Sequence, residues 1–318
     1  MLKVALLGYG EIAKSLILGM LESKHKIVGV LKWERERPNK TVAFLRDTFM
    51  PDSLTSIIKA NKLYEIKAKK AQSERFKKEI ARLKPDVILV GSWGEILKQD
   101  TIDLPKIACI NCHPSLLPKH RGSNPYLSAI LANESKSGIT FHLMDTGIDT
   151  GQILLQKEID IEPNDKGSDV RHKCALAAKN SVTKLLDKLE NAELIPQKQD
   201  ESIASYYPRM HPYDGKILWH MPSLAIHNHI RAFNPWIKCF SFHKGTFIFI
   251  NSGKLVDINT FIETPGKIIA KTGNKLLIST GDGNIAFLAE DVEAYGPLSK
   301  IWSKTYVRNL IKVGDCLQ

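Results

Sequence analysis

Three side chains between positions 108 and 151 have the types and spacing to form one reaction centre: Asn111, His113 and Asp149. Asn111 and His113 stand two apart in the run ACINCHPSLLP, so on an extended strand they point to the same face. One offers amide N–H donors and the other a titratable imidazole. Asp149 sits in DTGIDTG, a glycine-flanked turn after the hydrophobic run GITFHLM, where a carboxylate can orient a histidine or take a proton. A neutral donor, a base and an orienting acid suit transfer of an acyl-type carbon to an amine. Negative charge grows on the carbonyl oxygen in that reaction, and fixed donors stabilise it.

The elements that must position these groups alternate strand and helix. Residues 3–8, 25–32, 85–91 and 107–111 read as buried parallel strands, with helices over 53–61 and 73–83. The loop 92–97 follows the third strand at its carboxyl end, where open α/β sheets collect ligands. A helix at 125–133, strands at 138–144 and 151–161 and a long helix at 169–189 complete a first domain, 1–190. Residues 34–51 are polar and irregular and read as a loop, and Lys67–Lys70 as a solvated connection. The polar stretch 191–205 reads as a linker. From 206 to 318 a helix at 223–233 and short strands at 245–250, 267–270, 276–279 and 285–288, broken by Gly and Asp turns, predict a small barrel. The expected fold class is α/β: a Rossmann-like, mostly parallel sheet followed by a C-terminal, oligonucleotide-binding-type β-barrel. No internal repeat is found.

A chain of 318 residues, 43% hydrophobic and 25% charged, has room for two cores. Its net charge of +11 favours polyanionic or phosphate-bearing partners, although general overuse of lysine gives the same balance. No apolar run reaches membrane length and no signal peptide is evident, so a cytoplasmic protein is expected. Five scattered cysteines do not make a disulfide framework. Cys109-Ile-Asn-Cys112-His113 matches the C-x-x-C-H haem pattern, but at a strand end and without an export signal it reads as coincidence. No second Cys/His pair follows at a zinc spacing, so no metal is expected.

Gly8-Tyr9-Gly10-Glu11-Ile12-Ala13 fits the dinucleotide fingerprint G-x-G-x-x-A, with Glu34 near the position of a ribose-binding acid. A lone fingerprint is weakly specific. The preferred reading is a tight turn between a first strand and helix, with an NAD-type oxidoreductase as the rival.

Asn111-Cys-His113-Pro-Ser115-Leu-Leu-Pro118, Arg121-Gly122 and Met144-Asp145-x-Gly147-Ile-Asp149-Thr-Gly151 together resemble the folate-dependent formyltransferases. Singly, Asn111 reads as a turn former, His113 as a core imidazole and Asp149 as a turn cap. The combination at this separation is far more specific. The resemblance implies 10-formyltetrahydrofolate as co-substrate and a primary amine as acceptor. Asn111 would hold the formyl oxygen, His113 would polarise or shuttle a proton, and Asp149 would position His113 and help remove the amine proton. Trp93, Gly94, Glu95, Ile96 and Leu97 would line the pteridine, with Leu143, Met144 and Asp145 closing from the other side. Gly10, Ser115, Leu116, Arg121 and Gly122 would face the acceptor. No metal is implied, since Asn and His polarise in place of a Lewis acid.

The resemblance continues through Trp219, Ile226-His-Asn-His-Ile-Arg231-Ala-Phe-Asn-Pro-Trp236, Pro265-Gly266 and Thr280-Gly-Asp-Gly283 to the two-domain members acting on methionyl-tRNA. Their barrel would cradle charged initiator tRNA through phosphate contacts; in the alternative it only packs or dimerises. Those members carry a basic, glycine-containing loop after the second strand. Here that place holds Trp33-Glu34-Arg35-Glu36-Arg37-Pro38-Asn39-Lys40, with two acids and no glycine. Residues 121–125 and 209–219 look closer to members acting on a nucleotide-linked amino sugar. Methionyl-tRNA is the preferred acceptor and the amino sugar the alternative. A nucleic-acid-binding protein using its barrel without catalysis is the rival from another class.

Overall fold

The computed structural model describes residues 1–33, 53–295, 302–303 and 305–318. The loop expected at 34–51, with Glu34, lies outside these described residues. Lys3–Gly8 (β1) and Val87–Gly91 (β3) are apolar and buried from Val4 and Val87 onward. A strand apolar on both faces is stable only where both are covered, so the two lie at the centre of a sheet. Lys26–Lys32 (β2) flanks β1, and Ala108–His113 (β4) flanks β3, all in parallel. The two-residue strand Arg121–Gly122 (β5) lies outside this sheet. Lys136–Leu143 (β6) and Ile153–Asp160 (β7) extend the sheet antiparallel, giving the order β2-β1-β3-β4-β6-β7.

Gly10–Leu21 (α1) buries Ile12, Ala13, Leu16, Ile17 and Met20, a recurrence of three and four that makes one apolar stripe. Leu54–Ala60 (α2) and Glu74–Leu83 (α3) start at Ser53 and Ser73, whose hydroxyls accept the Ser56 and Phe76 N–H groups. Gln99–Ile102 (α4) and Pro125–Leu131 (α5) are short, and Gly167–Glu190 (α6) runs 24 residues. No described helix is long and apolar enough to cross a membrane.

The chain divides into two compact units. The first comprises Met1–Pro125, Lys136–Asp160 and Arg171–Tyr207; the second comprises Tyr126–Ser135, Ile161–Val170 and Pro208–Gln318. Within the first, Tyr206–Tyr207 (β8) pairs in parallel with β5. The second holds Ser223–Phe233 (α7) and an antiparallel sheet of Phe240–His243 (β9), Thr246–Asp257 (β10), Ile268–Thr272 (β11), Lys275–Ser279 (β12) and Ile285–Ala294 (β13), ordered β11-β12-β13-β10-β9. The chain end joins its two outer strands. Phe242 and Gln318 exchange backbone hydrogen bonds of 2.8 and 2.9 Å, and the Ile268 N–H donates to the Asp315 carbonyl at 2.8 Å. The sheet is thereby barrel-like, with its edges covered.

Strands β10 and β13 outrun the apolar stretches that predicted them. β10 continues through register shifts around Ser252, and β13 continues where the sequence alternates polar and apolar. In α7, the buried Arg231 donates from Nε to Asn228 Oδ1 at 2.9 Å and from Nη1 to the Asp165 carbonyl at 2.7 Å. Asn228 in turn donates to Asn133 Oδ1 at 3.0 Å. This stretch of α7 thus pins the segments 126–135 and 161–170 to the second unit.

At Gly19 helix α1 approaches α6 closely: a Cβ there would lie 2.3 Å from the Lys179 carbonyl oxygen and 2.7 Å from a Val182 methyl. Alanine would favour the helix by about 1 kcal/mol, but overpacking against backbone costs about 1–3 kcal/mol. Gly19→Ala is therefore expected to lower stability by up to roughly 2 kcal/mol in urea unfolding; a stabilised variant would contradict the close packing.

Candidate active site

Strand β4 carries Asn111 and His113 on one face, and its antiparallel neighbour β6 sets His142 opposite Asn111 and Thr140 opposite His113. The turn from β6 to β7 then brings Asp149 back. Asp145 Oδ1 accepts the Gly147 N–H at 3.0 Å and the Thr150 hydroxyl at 2.7 Å, folding the turn. Asp149 itself adopts φ +55°, a conformation uncommon outside glycine. Gly151 allows the chain to close, since a Cβ there would sit 1.7 Å from the Leu143 carbonyl oxygen.

Four groups converge on the Asp149 carboxylate. Oδ1 lies 3.2 Å from Asn111 Nδ2, 3.4 Å from His113 Nδ1 and 3.5 Å from His142 Nε2. Oδ2 accepts the Gly122 N–H at 2.9 Å. The three side chains singled out by type and spacing are thus brought together, with His142 as a fourth.

Carbonyl oxygens only accept, and this fixes the imidazole protons. His113 Nε2 lies 2.9 Å from the His120 carbonyl and His142 Nδ1 lies 2.8 Å from the Leu143 carbonyl, so these two nitrogens carry hydrogen. In the neutral rings the opposite nitrogens are bare. His142 Nε2 accepts from Asn111 Nδ2 at 3.2 Å, and His113 Nδ1 faces the carboxylate. A proton arriving on either ring lands beside Asp149.

Burial pushes the His113 pKa down, outweighing the upward pull of Asp149 and of the His120 carbonyl. Burial works to raise Asp149, but the His113 charge, the His142 ring and the Gly122 N–H together hold it well below the ordinary carboxylate range. At neutral pH the site therefore presents an uncharged imidazole beside an ionised carboxylate.

Beside this centre, Leu97 belongs to the apolar cluster of Ala5, Leu7, Ile88, Val90 and Cys109, against which Trp93 and Met144 pack. Gly94 lies against Trp33, whose ring a Cβ would meet at 2.2 Å. The Trp93 indole N–H and Glu95 Oε2 are buried without a hydrogen-bond partner among the described residues. An apolar wall with one unused donor and one unused acceptor fits a fused heteroaromatic ring with polar edges. Ile96 is 63% exposed, Leu143 half-buried and Asp145 exposed.

Of the residues expected to face an acceptor, Gly10 is exposed at the start of α1, with φ +65°. The Ser115 hydroxyl donates to the Lys119 carbonyl at 2.7 Å, and Leu116 is half-buried beside Gly138. Buried Arg121 directs its guanidinium to Gln199 and Glu201, and Gly122 gives its N–H to Asp149.

Sequence reasoning passed over His142, His120 and Gln199. His142 was findable: Thr140 and His142 alternate with apolar residues in GITFHLM, so two polar groups share one strand face. His120 acts through its carbonyl and Gln199 lies far along the chain, and neither leaves a pattern. Gly8 and Gly10 serve the turn. A Cβ on Gly8 would lie 2.2 Å from the Gly91 carbonyl oxygen, and Gly10 needs its positive φ. Cys109 and Cys112 are both buried, and burial pushes the Cys109 thiol up to about 12 and Cys112 well above its ordinary value. Three apart on a strand, they point to opposite faces and make no paired site.

Residues 2–186 match the family described as "Formyl transferase", and residues 209–293 match "Formyl transferase, C-terminal domain". The methionyl-tRNA formyltransferase of Caldanaerobacter subterraneus subsp. tengcongensis is 31% identical over 287 residues, covering 90% of this chain and 91% of the relative. The N-formyltransferase from Helicobacter canadensis, solved with folinic acid and dTDP-3-aminofucose, superposes with a TM-score of 0.70 at 24% identity, over 93% of this chain and 100% of that one. A methionyl-tRNA formyltransferase from Clostridium thermocellum superposes at 0.55 and 16% identity, over 93% and 100%.

The shifts have a signed consequence. With its folded pKa lowered, His113 takes up a proton in the unfolded chain, near 6.5, before it does in the folded one. Stability therefore falls as pH drops through 6.5 and stops falling on this account below the depressed folded value. The Asp149 contribution is present above its unfolded value of 3.8 and is lost as pH falls further, toward its folded pKa. His113→Asn is expected to flatten the decline in unfolding free energy between pH 7.5 and 5, measured with urea; an unchanged slope would show that His113 is not the titrating group.

Proposed function

We propose that this chain, which belongs to the formyl transferase family, transfers a formyl group from 10-formyltetrahydrofolate to a primary amine, the amino group of methionyl-tRNA. The observation that carries the chemistry is the ionised Asp149 carboxylate within 3.5 Å of Asn111, His113 and His142. In such a transfer the amine nitrogen bonds to the formyl carbon, the bond from that carbon to the folate nitrogen breaks, and one proton passes from the amine to the folate nitrogen.

Asn111 would turn one amide hydrogen from its present partners onto the formyl oxygen. A fixed donor of this kind contributes about 10²–10³ in rate. His113, bare at Nδ1, would accept the amine proton, and Asp149 would stabilise the resulting imidazolium. Trp93 to Leu97 and Leu143 to Asp145 would hold the pterin, using the free Trp93 N–H and Glu95 oxygen. No residue in this scheme requires a metal.

The acceptor reading draws support from relatives named methionyl-tRNA formyltransferase that are about 30% identical over 90% of the chain, and from the net charge of +11. An enzyme using folate one-carbon units and charged tRNA would work in the cytoplasm. A nucleotide-linked amino sugar is the second reading. Glu34 and Glu36 favour it, since acids directly after β2 oppose the approach of a phosphate backbone.

The test is an acceptor competition: 10-formyltetrahydrofolate with charged initiator tRNA and a panel of nucleotide amino sugars, read by product mass. Formylated methionyl-tRNA is expected, and formylation of a sugar alone would reject that acceptor while leaving the chemistry standing. Asn111→Ala, His113→Ala and Asp149→Ala should each lower kcat by roughly 100-fold or more; wild-type turnover in all three would remove the site assignment.

A further inference from the structure

Residues 187–208 fall between the two family matches, and their composition suggests a tether. Their hydrogen bonds describe something else. Gln197 pairs with Ile153 of β7 through both backbone groups, at 2.8 and 2.9 Å. Two residues on, Gln199 Nε2 donates to the carbonyls of Asp149 and Gly151, at 2.7 and 2.8 Å. Its Oε1 accepts two bonds from Arg121, 3.1 Å from Nε and 2.7 Å from Nη2. Because a guanidinium only donates, the Gln199 oxygen must face it, which directs the amide hydrogens at the Asp149 turn. Arg121 also grips Glu201, and the next residue, Gly122, gives its N–H to the Asp149 carboxylate.

The same segment reaches His113. Ser205 Oγ accepts the His120 N–H at 2.9 Å, and the His120 carbonyl accepts from His113 Nε2 at 2.9 Å. His120 stands at φ +61°, so its peptide needs support to keep that orientation. The Ser205 carbonyl accepts the Arg121 N–H, and β8 locks the end of the segment against β5.

We propose that residues 197–207 form a strap that sets the geometry of the catalytic pair, with Gln199 the positioning residue for Asp149 and Ser205 the positioning residue for His113. The strap touches no reacting atom. It fixes the backbone on which Asp149 stands and the carbonyl that determines the His113 tautomer. Arg121 then belongs to this fixture and not to the acceptor surface. The inference rests on the formyl-transfer reading above.

Gln199→Glu separates positioning from folding. Glutamate keeps an oxygen for Arg121 but turns a second oxygen toward the Asp149 and Gly151 carbonyls in place of the donor. The full-length enzyme would be assayed for kcat and KM across pH, beside a urea midpoint and an imidazole NMR titration of His113. The expected result is a kcat lower by roughly 10- to 100-fold, KM for both substrates within about twofold, and an unfolding midpoint near that of the wild type. Moving Asp149 away also weakens its upward pull on His113, while the carboxylate introduced at position 199 is countered by Arg121, so the His113 titration and the acid limb of kcat should move to lower pH.

Ser205→Ala is the milder second variant. It should lower kcat by roughly 3- to 10-fold and disturb the His113 Nε2–H resonance. If Gln199→Glu fails to fold, this variant decides. Wild-type kcat and an unshifted His113 titration in either folded variant would overturn the strap, as would parallel loss of kcat, KM and midpoint. A wild-type enzyme that formylates no amine would instead remove the functional reading, and the His113 titration would still report on the strap.

Discussion

A carboxylate withdrawn from water must be compensated by fixed dipoles or charges, and the first unit is organised around that requirement at Asp149. Its side chain is 14% exposed and remains ionised because the Gly122 N–H and the Asn111 amide donate to it and because His113, once protonated at lower pH, places a positive charge beside it. The contacts come from separate stretches of the chain: β4 supplies Asn111 and His113, β6 supplies His142, and the turn before β7 supplies the carboxylate. The six-stranded sheet matters to function because it holds these three chain segments in one register. A slip of one residue between β4 and β6 would turn His142 away from Asn111.

The protonation pattern follows from the same arrangement. Both rings direct their protonated nitrogen to a backbone carbonyl and leave the bare nitrogen facing a single oxygen of Asp149. In that resting state the carboxylate is only partly satisfied, because two of its four neighbours offer lone pairs. The site therefore has the character of a proton acceptor before any ligand enters. Burial, which favours the neutral imidazole, and the carboxylate, which favours the charged one, oppose each other at His113. A base whose protonation is both opposed and assisted in this way can take and release a proton within a catalytic cycle.

Much of this was legible in the sequence, and for a definite reason. Strands β1, β3 and β4 are short apolar runs bounded by turn signals. Asn111 and His113 share a face through simple alternation, and Asp149 is flagged by Gly147 and Gly151. Such information is local in the chain. Contacts that depend on distant segments returning to the site left no local signal. Gln199 lies in a polar run that reads as solvent-exposed, and nothing in its neighbours indicates that its amide caps a turn 50 residues earlier. The contacts of Arg121 show the same limit: no pattern near it in the chain announces that its guanidinium holds Gln199 and Glu201. In the second unit, Arg231 and Asn228 anchor segments from far earlier in the chain, and β10 outran its apolar run because a bulge let it continue.

The chemistry and the acceptor differ in legibility for a physical reason. In the proposed transfer Asn111, His113 and Asp149 would converge on one reacting carbon, a constraint measured in tenths of an ångström, and they stand on or beside paired strands whose geometry tolerates little variation. An acceptor bound some distance from that carbon imposes no such precision. It can be held by loops that change length and charge without disturbing the sheet. A charged tRNA and a nucleotide-linked amino sugar would each present a primary amine to such a site. What separates them is the long-range field and shape of the surface around the cleft. A net charge of +11 would attract either phosphate-bearing acceptor, so charge alone does not separate the two readings.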